Sequence, residues 1–123
     1  MKGYKIYNQC EMGFEENIKY TVNYDKAVQM FNNSVRSELR NIKRYIITKE
    51  EWGEHVQYFK ESIEKYHEDK VILSRTYPFI MFTTKDRTKV TACIPYVYRS
   101  SYEYEEYDIT ESKTVLEVVE LEE

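Results

Sequence analysis

The sequence predicts a single α+β domain: a largely antiparallel sheet, built from an N-terminal hairpin and a C-terminal meander, with two helices packed on one face. Three observations lead there. Apolar residues alternate at a period of two near the N-terminus, recur at three- and four-residue steps through the middle, and return to extended β-branched and aromatic runs after Asp69. The order of two strands, two helices and then four or five strands lacks the strand–helix alternation of a parallel sheet. The 123 residues contain no Gly/Ser linker, repeat or low-complexity tract, which fits one unit over residues 1–123.

Tyr4 and Ile6 alternate with Lys5 and Tyr7, the pattern of a half-buried strand over about residues 2–9. Ile18, Tyr20 and Val22 alternate with Lys19 and Thr21, and Gly13 lies in the intervening turn, so the two pieces read as a hairpin. The period then changes. Tyr24, Ala27, Val28, Phe31, Val35, Leu39 and Ile42 follow the spacing of one helical face, with Asn23 placed as N-cap, predicting a helix over 24–42. Thr48-Lys49-Glu50-Glu51 is a capping box, and Ile47 with Trp52 has the spacing of a hydrophobic staple. Trp52, Val56, Phe59, Ile63 and Tyr66 continue the stripe and predict a second helix over 49–68. Residues 45–47 read equally as a short strand or as the last turn of the first helix.

Beyond Asp69, the segments 71–75, 79–84, 90–98, 102–109 and 114–121 read as strands. Glu111-Ser112-Lys113 is placed as the turn of the last pair. Pro78 and Pro95 each remove a ladder donor, so both are expected at sheet edges or bulges.

Composition excludes several chemistries. The three glycines, Gly3, Gly13 and Gly53, are dispersed, whereas a phosphate loop or a dinucleotide fingerprint needs them clustered at a helix start. Two cysteines and two histidines without ligand spacing do not make a zinc site, and no metal or cofactor is expected. Cys10 and Cys93 make no disulfide framework, no signal segment opens the chain and no apolar run approaches the ~20 residues of a membrane span. The expectation is a cytoplasmic protein that does not enter the membrane. The two histidines, His55 and His67, are twelve residues apart on the second helix, about 18 Å along its axis. They are read as part of a solvated helix face. A small enzyme using His55 or His67 would need a carboxylate or nucleophile brought from the sheet.

The strongest functional signal is the division of charge. Residues 1–99 hold 17 Lys/Arg against 13 Asp/Glu, while residues 100–123 hold one base, Lys113, against nine acids. Within the acidic end, Tyr102, Glu103, Tyr104, Glu105, Glu106, Tyr107 and Asp108 alternate so that, as a strand, Glu103 and Glu105 share one face about 6.6 Å apart. Glu117 and Glu120 are expected to extend that negative field. Such a surface suits a protein partner with a basic surface, including one built to hold nucleic acid, and the tyrosines add contact area at low entropic cost. The leading expectation is therefore a small non-enzymatic interaction protein, extended to a phage or mobile-element inhibitor of a host defence protein that acts as a nucleic-acid mimic. The alternative is a nucleic-acid-binding regulator using the basic end of the first helix, Arg36, Arg40, Lys43 and Arg44, joined by Lys85, Arg87 and Lys89. A pI near 5.4 weighs against nucleic acid as a direct ligand. The oligomeric state is left open, a homodimer included.

Overall fold

In a computed structural model that describes residues 1–10, 13–97 and 109–122, the alternating segments pair into one six-stranded antiparallel sheet. The strands are β1 (Lys2–Gln9), β2 (Glu15–Thr21), β3 (Lys70–Thr76), β4 (Phe79–Thr84), β5 (Lys89–Val97) and β6 (Ile109–Glu120). Their order is β2-β1-β6-β5-β4-β3. The N-terminal hairpin thus joins the C-terminal meander through β1 and β6, from Lys2 opposite Glu120 to Gln9 opposite Lys113. The helices are α1 (Tyr24–Ile42) and α2 (Lys49–Tyr66), and the expected single α+β domain is what forms.

Local signals set both helix starts. The Asn23 side chain accepts from the Lys26 amide, 3.0 Å away. Thr48 Oγ1 accepts from the Glu51 amide at 3.2 Å while Glu51 Oε1 accepts from the Thr48 amide at 3.4 Å, which completes the capping box. Ile47 is buried, its carbonyl accepts from the Tyr77 hydroxyl, and the Tyr77 ring meets Trp52 edge-on at 5.7 Å. Residues 43–45 form a 3₁₀ turn, and Ile46 makes a single antiparallel bridge to Tyr96, so the connection is part helix and part strand.

The disposition of the helices differs from the expectation. Ala92 packs with Ala27 and Phe31 of α1, together with Ile6 and Leu116. Its neighbour Cys93 packs with Val56 and Ile63 of α2, together with Ile80 and Phe82. Successive strand residues point to opposite faces, so α1 and α2 cover opposite faces of the sheet. Burying the Phe31, Ile63 and Phe82 side chains contributes about 1.5–3 kcal/mol each, and the two clusters divide that contribution between the layers.

Two further expectations are corrected. Glu111-Ser112-Lys113 does not turn: β6 runs unbroken from Ile109 to Glu120. Its small polar residues point inward toward α1, where Thr114 accepts from Asn8 Nδ2 at 3.0 Å and Ser112 donates to Glu38 at 2.8 Å. Pro95 lies in an interior strand, not at a sheet edge. It is tolerated because the last β4 pair is Ile80 with Cys93, so β4 has already ended beside it. Pro78 sits in the β3–β4 turn after a cis Tyr77–Pro78 bond. Of the segment 102–109 expected as a strand, only Ile109 lies within the described residues, where it opens β6.

Both sheet edges are irregular. The register shifts between Ile6 and Asn8 against β2, where Asn17 has a φ of 53°, and between Ile72 and Ser74 on β3. Bulged edges of this kind resist pairing with another chain.

Candidate functional site

The expected acidic surface is only partly in view. Tyr102, Glu103, Tyr104, Glu105, Glu106, Tyr107 and Asp108 lie outside the described residues. Glu117 and Glu120 are described, and they do not form one surface, because residues three apart on a strand point to opposite faces. Glu117 is half-buried, accepts from the Tyr7 hydroxyl at 3.3 Å and lies opposite Lys5 and Lys89 in the ladder. Burial, and then the Glu117 charge, push the Tyr7 phenol well above its ordinary value. Glu120 is exposed and pairs with the N-terminal amine at 3.1 Å.

The basic surface is clearer. Arg36 and Arg40 on α1 and Lys43 and Arg44 on the following turn are all exposed along one flank. None of these side chains makes an ion pair or hydrogen bond among the described residues. Lys85, Arg87 and Lys89 do not join them. Ile46 bridges Tyr96 near the end of β5, whereas Lys89 begins that strand, about 23 Å away along it.

The histidines part company. His67 caps the C-terminus of α2 and is exposed, as expected of a solvated face. His55 is not on that face: its side chain is 14% exposed, and Nε2 lies 2.8 Å from Glu111 Oε1 of β6. The sheet therefore supplies the carboxylate that a catalytic histidine would need. Lys113 also reaches that carboxylate, its Nζ 3.7 Å from Glu111 Oε2, and Cys93, opposite Lys113 in the ladder, is close enough to influence it. Burial raises the Glu111 carboxyl, but the His55 hydrogen bond, the Lys113 charge and the Cys93 thiol outweigh it and hold the carboxyl below its ordinary value. Burial first, and then the adjacent Glu111 charge, push the Cys93 thiol well above its ordinary value. A nucleophilic cysteine needs a thiolate and a neighbouring base that takes its proton. Here the neighbour is a carboxylate already engaged by His55 and Lys113, so the cluster binds α2 to the sheet and leaves Cys93 protonated.

Among the described residues, concave regions lie on both faces of the sheet. On the α1 side a cleft of about 390 Å³ runs between β2 and the helix, walled by Asn17, Asn33, Ser37 and Asn41. Its inner polar groups are spent on one another: Asn8 Nδ2 donates to Ser34 at 3.1 Å, and Asn17 Nδ2 donates to Asn8 Oδ1 at 3.0 Å. On the α2 side two hollows of about 230 and 190 Å³ adjoin, sharing Lys70, Phe82 and Lys113. Glu111, Lys113 and Lys70 are site residues that the sequence pattern alone did not single out. The available signal was the alternation of Thr110, Ser112 and Thr114 with Glu111 and Lys113, a strand pattern in which the charged residues share one face.

No described helix is long and apolar enough to cross a membrane, and no described group of three or more His, Cys, Asp or Glu side chains is placed to hold a metal. No family model, no curated protein and no solved structure matches the chain.

Proposed function

We propose that the protein is a non-enzymatic interaction protein, acting in the cytoplasm, whose acidic and tyrosine-rich segment engages a partner with a basic surface. The observation that carries this reading is the charge division of the chain, with nine acids against one base after residue 99. Tyr102, Glu103, Tyr104, Glu105, Glu106, Tyr107 and Asp108 are the contact residues. The segment follows β5 and precedes β6, and Val97 and Ile109 at those strand ends pair with each other. With Glu117 and Glu120 engaged by Tyr7 and the N-terminus, the docking charge falls to residues 103–108. A partner groove made for a polyanion would accept such a segment as a nucleic-acid mimic, the mode of action of an inhibitor that a phage or mobile element directs at a host defence protein. The locked His55–Glu111–Cys93 cluster favours binding over catalysis.

The test is a quadruple change, Glu103→Gln, Glu105→Gln, Glu106→Gln and Asp108→Asn, compared with wild type by capture from nuclease-treated host lysate. The melting temperature should hold while basic partners are lost, most strongly at low salt. Undiminished capture would reduce the acidic segment to a solubility device.

A second reading has an observation of its own: Arg36, Arg40, Lys43 and Arg44 are exposed together without intramolecular partners among the described residues, an arrangement fit for phosphate contacts. Under that reading capture survives the acidic change and fails when Arg36, Arg40 and Lys43 are neutralised.

A further inference from the structure

The groove on the α2 side of the sheet gathers more ammonium groups than it holds in ion pairs. Three lysines reach it from three strands: Lys70 begins β3, Lys89 begins β5 and Lys113 lies within β6. The ladder sets all three on the face that α2 covers, since Lys113 is opposite Cys93, Lys89 lies four residues before Cys93, and Lys70 is opposite Thr84. All three are half-buried. Lys113 shares Glu111 with His55. Lys70 lies over the Phe82 ring, 5.4 Å from its centre, and among the described residues neither Lys70 nor Lys89 has an ion-pair partner. Asp69 is the other acid lining the groove and is exposed at its mouth, while Glu117, opposite Lys89 in the ladder, makes no ion pair with it and accepts from the Tyr7 hydroxyl. A half-buried ammonium gives up hydration, and it regains that loss only from a counter-charge or from hydrogen bonds. Two such groups converging on one concavity point to an anion.

The shape adds to the charge. The hollow of about 190 Å³ brings Thr91 and Gln9 beside the lysines, a hydroxyl and an amide able to donate to oxygen. The adjoining hollow of about 230 Å³ is walled by Tyr58, Phe59, Phe82 and His67. Together they reach the lower end of the roughly 300–1,000 Å³ typical of small-molecule sites. Lysines act on phosphate as point charges from separate directions, whereas a planar carboxylate is better matched by the arginine fork. Polymeric nucleic acid is disfavoured, because Glu111 and Asp69 would meet its continuing phosphates.

We infer that this groove binds a small phosphorylated ligand bearing a planar ring, with the phosphate among Lys70, Lys89 and Lys113 and the ring against Tyr58 and Phe59. The site is independent of the acidic segment, and either can fail without the other.

Calorimetric titration of the full chain at low ionic strength tests it, with adenosine 5′-monophosphate and phenyl phosphate as probes and adenosine and inorganic phosphate as controls. Saturable binding of the two phosphate monoesters is expected, with each control weaker by about tenfold or more, the loss of one good contact. Amide signals of Lys70, Lys89 and Lys113 should shift on titration. The double variant Lys70→Met, Lys89→Met keeps the apolar stems and should weaken binding at least about tenfold at an unchanged melting temperature. Arg36→Gln with Arg40→Gln on the α1 flank should bind as wild type. The inference is overturned if neither monoester saturates, if inorganic phosphate alone matches them, or if the lysine double variant binds as wild type. Should that variant melt early, the wild-type amide shifts decide, and movement confined to the α1 side refutes the site.

Discussion

His55→Leu removes the hydrogen bond by which α2 holds β6, and its cost follows from the burial of the two partners. The His55 and Glu111 side chains are 14% and 21% exposed, with 2.8 Å between Nε2 and Oε1. The partial burial here, with Lys113 still beside the carboxylate, places the loss near 2 kcal/mol, within the range of about 1.5–3 kcal/mol for a hydrogen bond to a charged group. At an unfolding entropy of about 2.1 cal/mol/K per residue, a chain of this length should lose about 8 °C in melting temperature. Glu111→Gln should lose a comparable amount. The pH dependence has a definite sign. The folded Glu111 carboxyl lies below its ordinary value of 4.5, so its stabilisation is complete above that pH and fades as pH falls through the lower folded value. Thermal melts followed by circular dichroism from neutral pH downward should therefore show wild type and Glu111→Gln separated at pH 6–7 and converging below about pH 4.5. His67→Gln, on the exposed cap, serves as control and should stay within about 0.5 kcal/mol of wild type. If His55→Leu melts within about 2 °C of wild type at neutral pH, or if the Glu111→Gln gap does not narrow in acid, the cluster does not bind the helix to the sheet.

Other perturbations probe single features of the fold. Thr48→Ala removes the acceptor of the Glu51 amide and should cost about 1 kcal/mol in a denaturant titration, while an unchanged midpoint would discount the capping box. Gly53→Ala should stabilise by roughly 0.5–1 kcal/mol, because a methyl there meets nothing within 4 Å inside a helix; a lower melting temperature would contradict that. A thiol reagent at mildly alkaline pH should label Cys10 in the folded protein and reach Cys93 only after denaturation, since Cys93 is buried and burial holds it protonated. Equal labelling rates for the two would refute that assignment.

Much of the fold was legible because its signals are local. The stripe from Tyr24 to Ile42 recurs at helical spacing, and the helix occupies those bounds. The Thr48–Glu51 box depends on four consecutive residues, so no tertiary context was required to place it. The candidate sites were less legible. Glu111, Ser112 and Lys113 have the composition of a turn, and only partners from elsewhere in the chain make them a strand. Ser112 finds Glu38, 74 residues away, and Glu111 finds His55, 56 residues away. His55 looked solvated because its helical neighbours Glu51 and Glu54 are acids, yet it lies next to the buried Val56 on the side of α2 that meets the sheet.

Taken alone, the sequence determined the class of the fold, the positions of both helices, the N-terminal hairpin and the division of charge, all of which are set by residues close along the chain. Tertiary structure decided which face each helix covers, because helical spacing marks an apolar side without naming the sheet face that receives it; the choice was made by Ala92 packing toward α1 and Cys93 toward α2. It also decided which charges meet. Lys70, Lys89 and Lys113 are separated by 19 and 24 residues in the chain and share a groove only because antiparallel register puts their side chains on one face of the sheet.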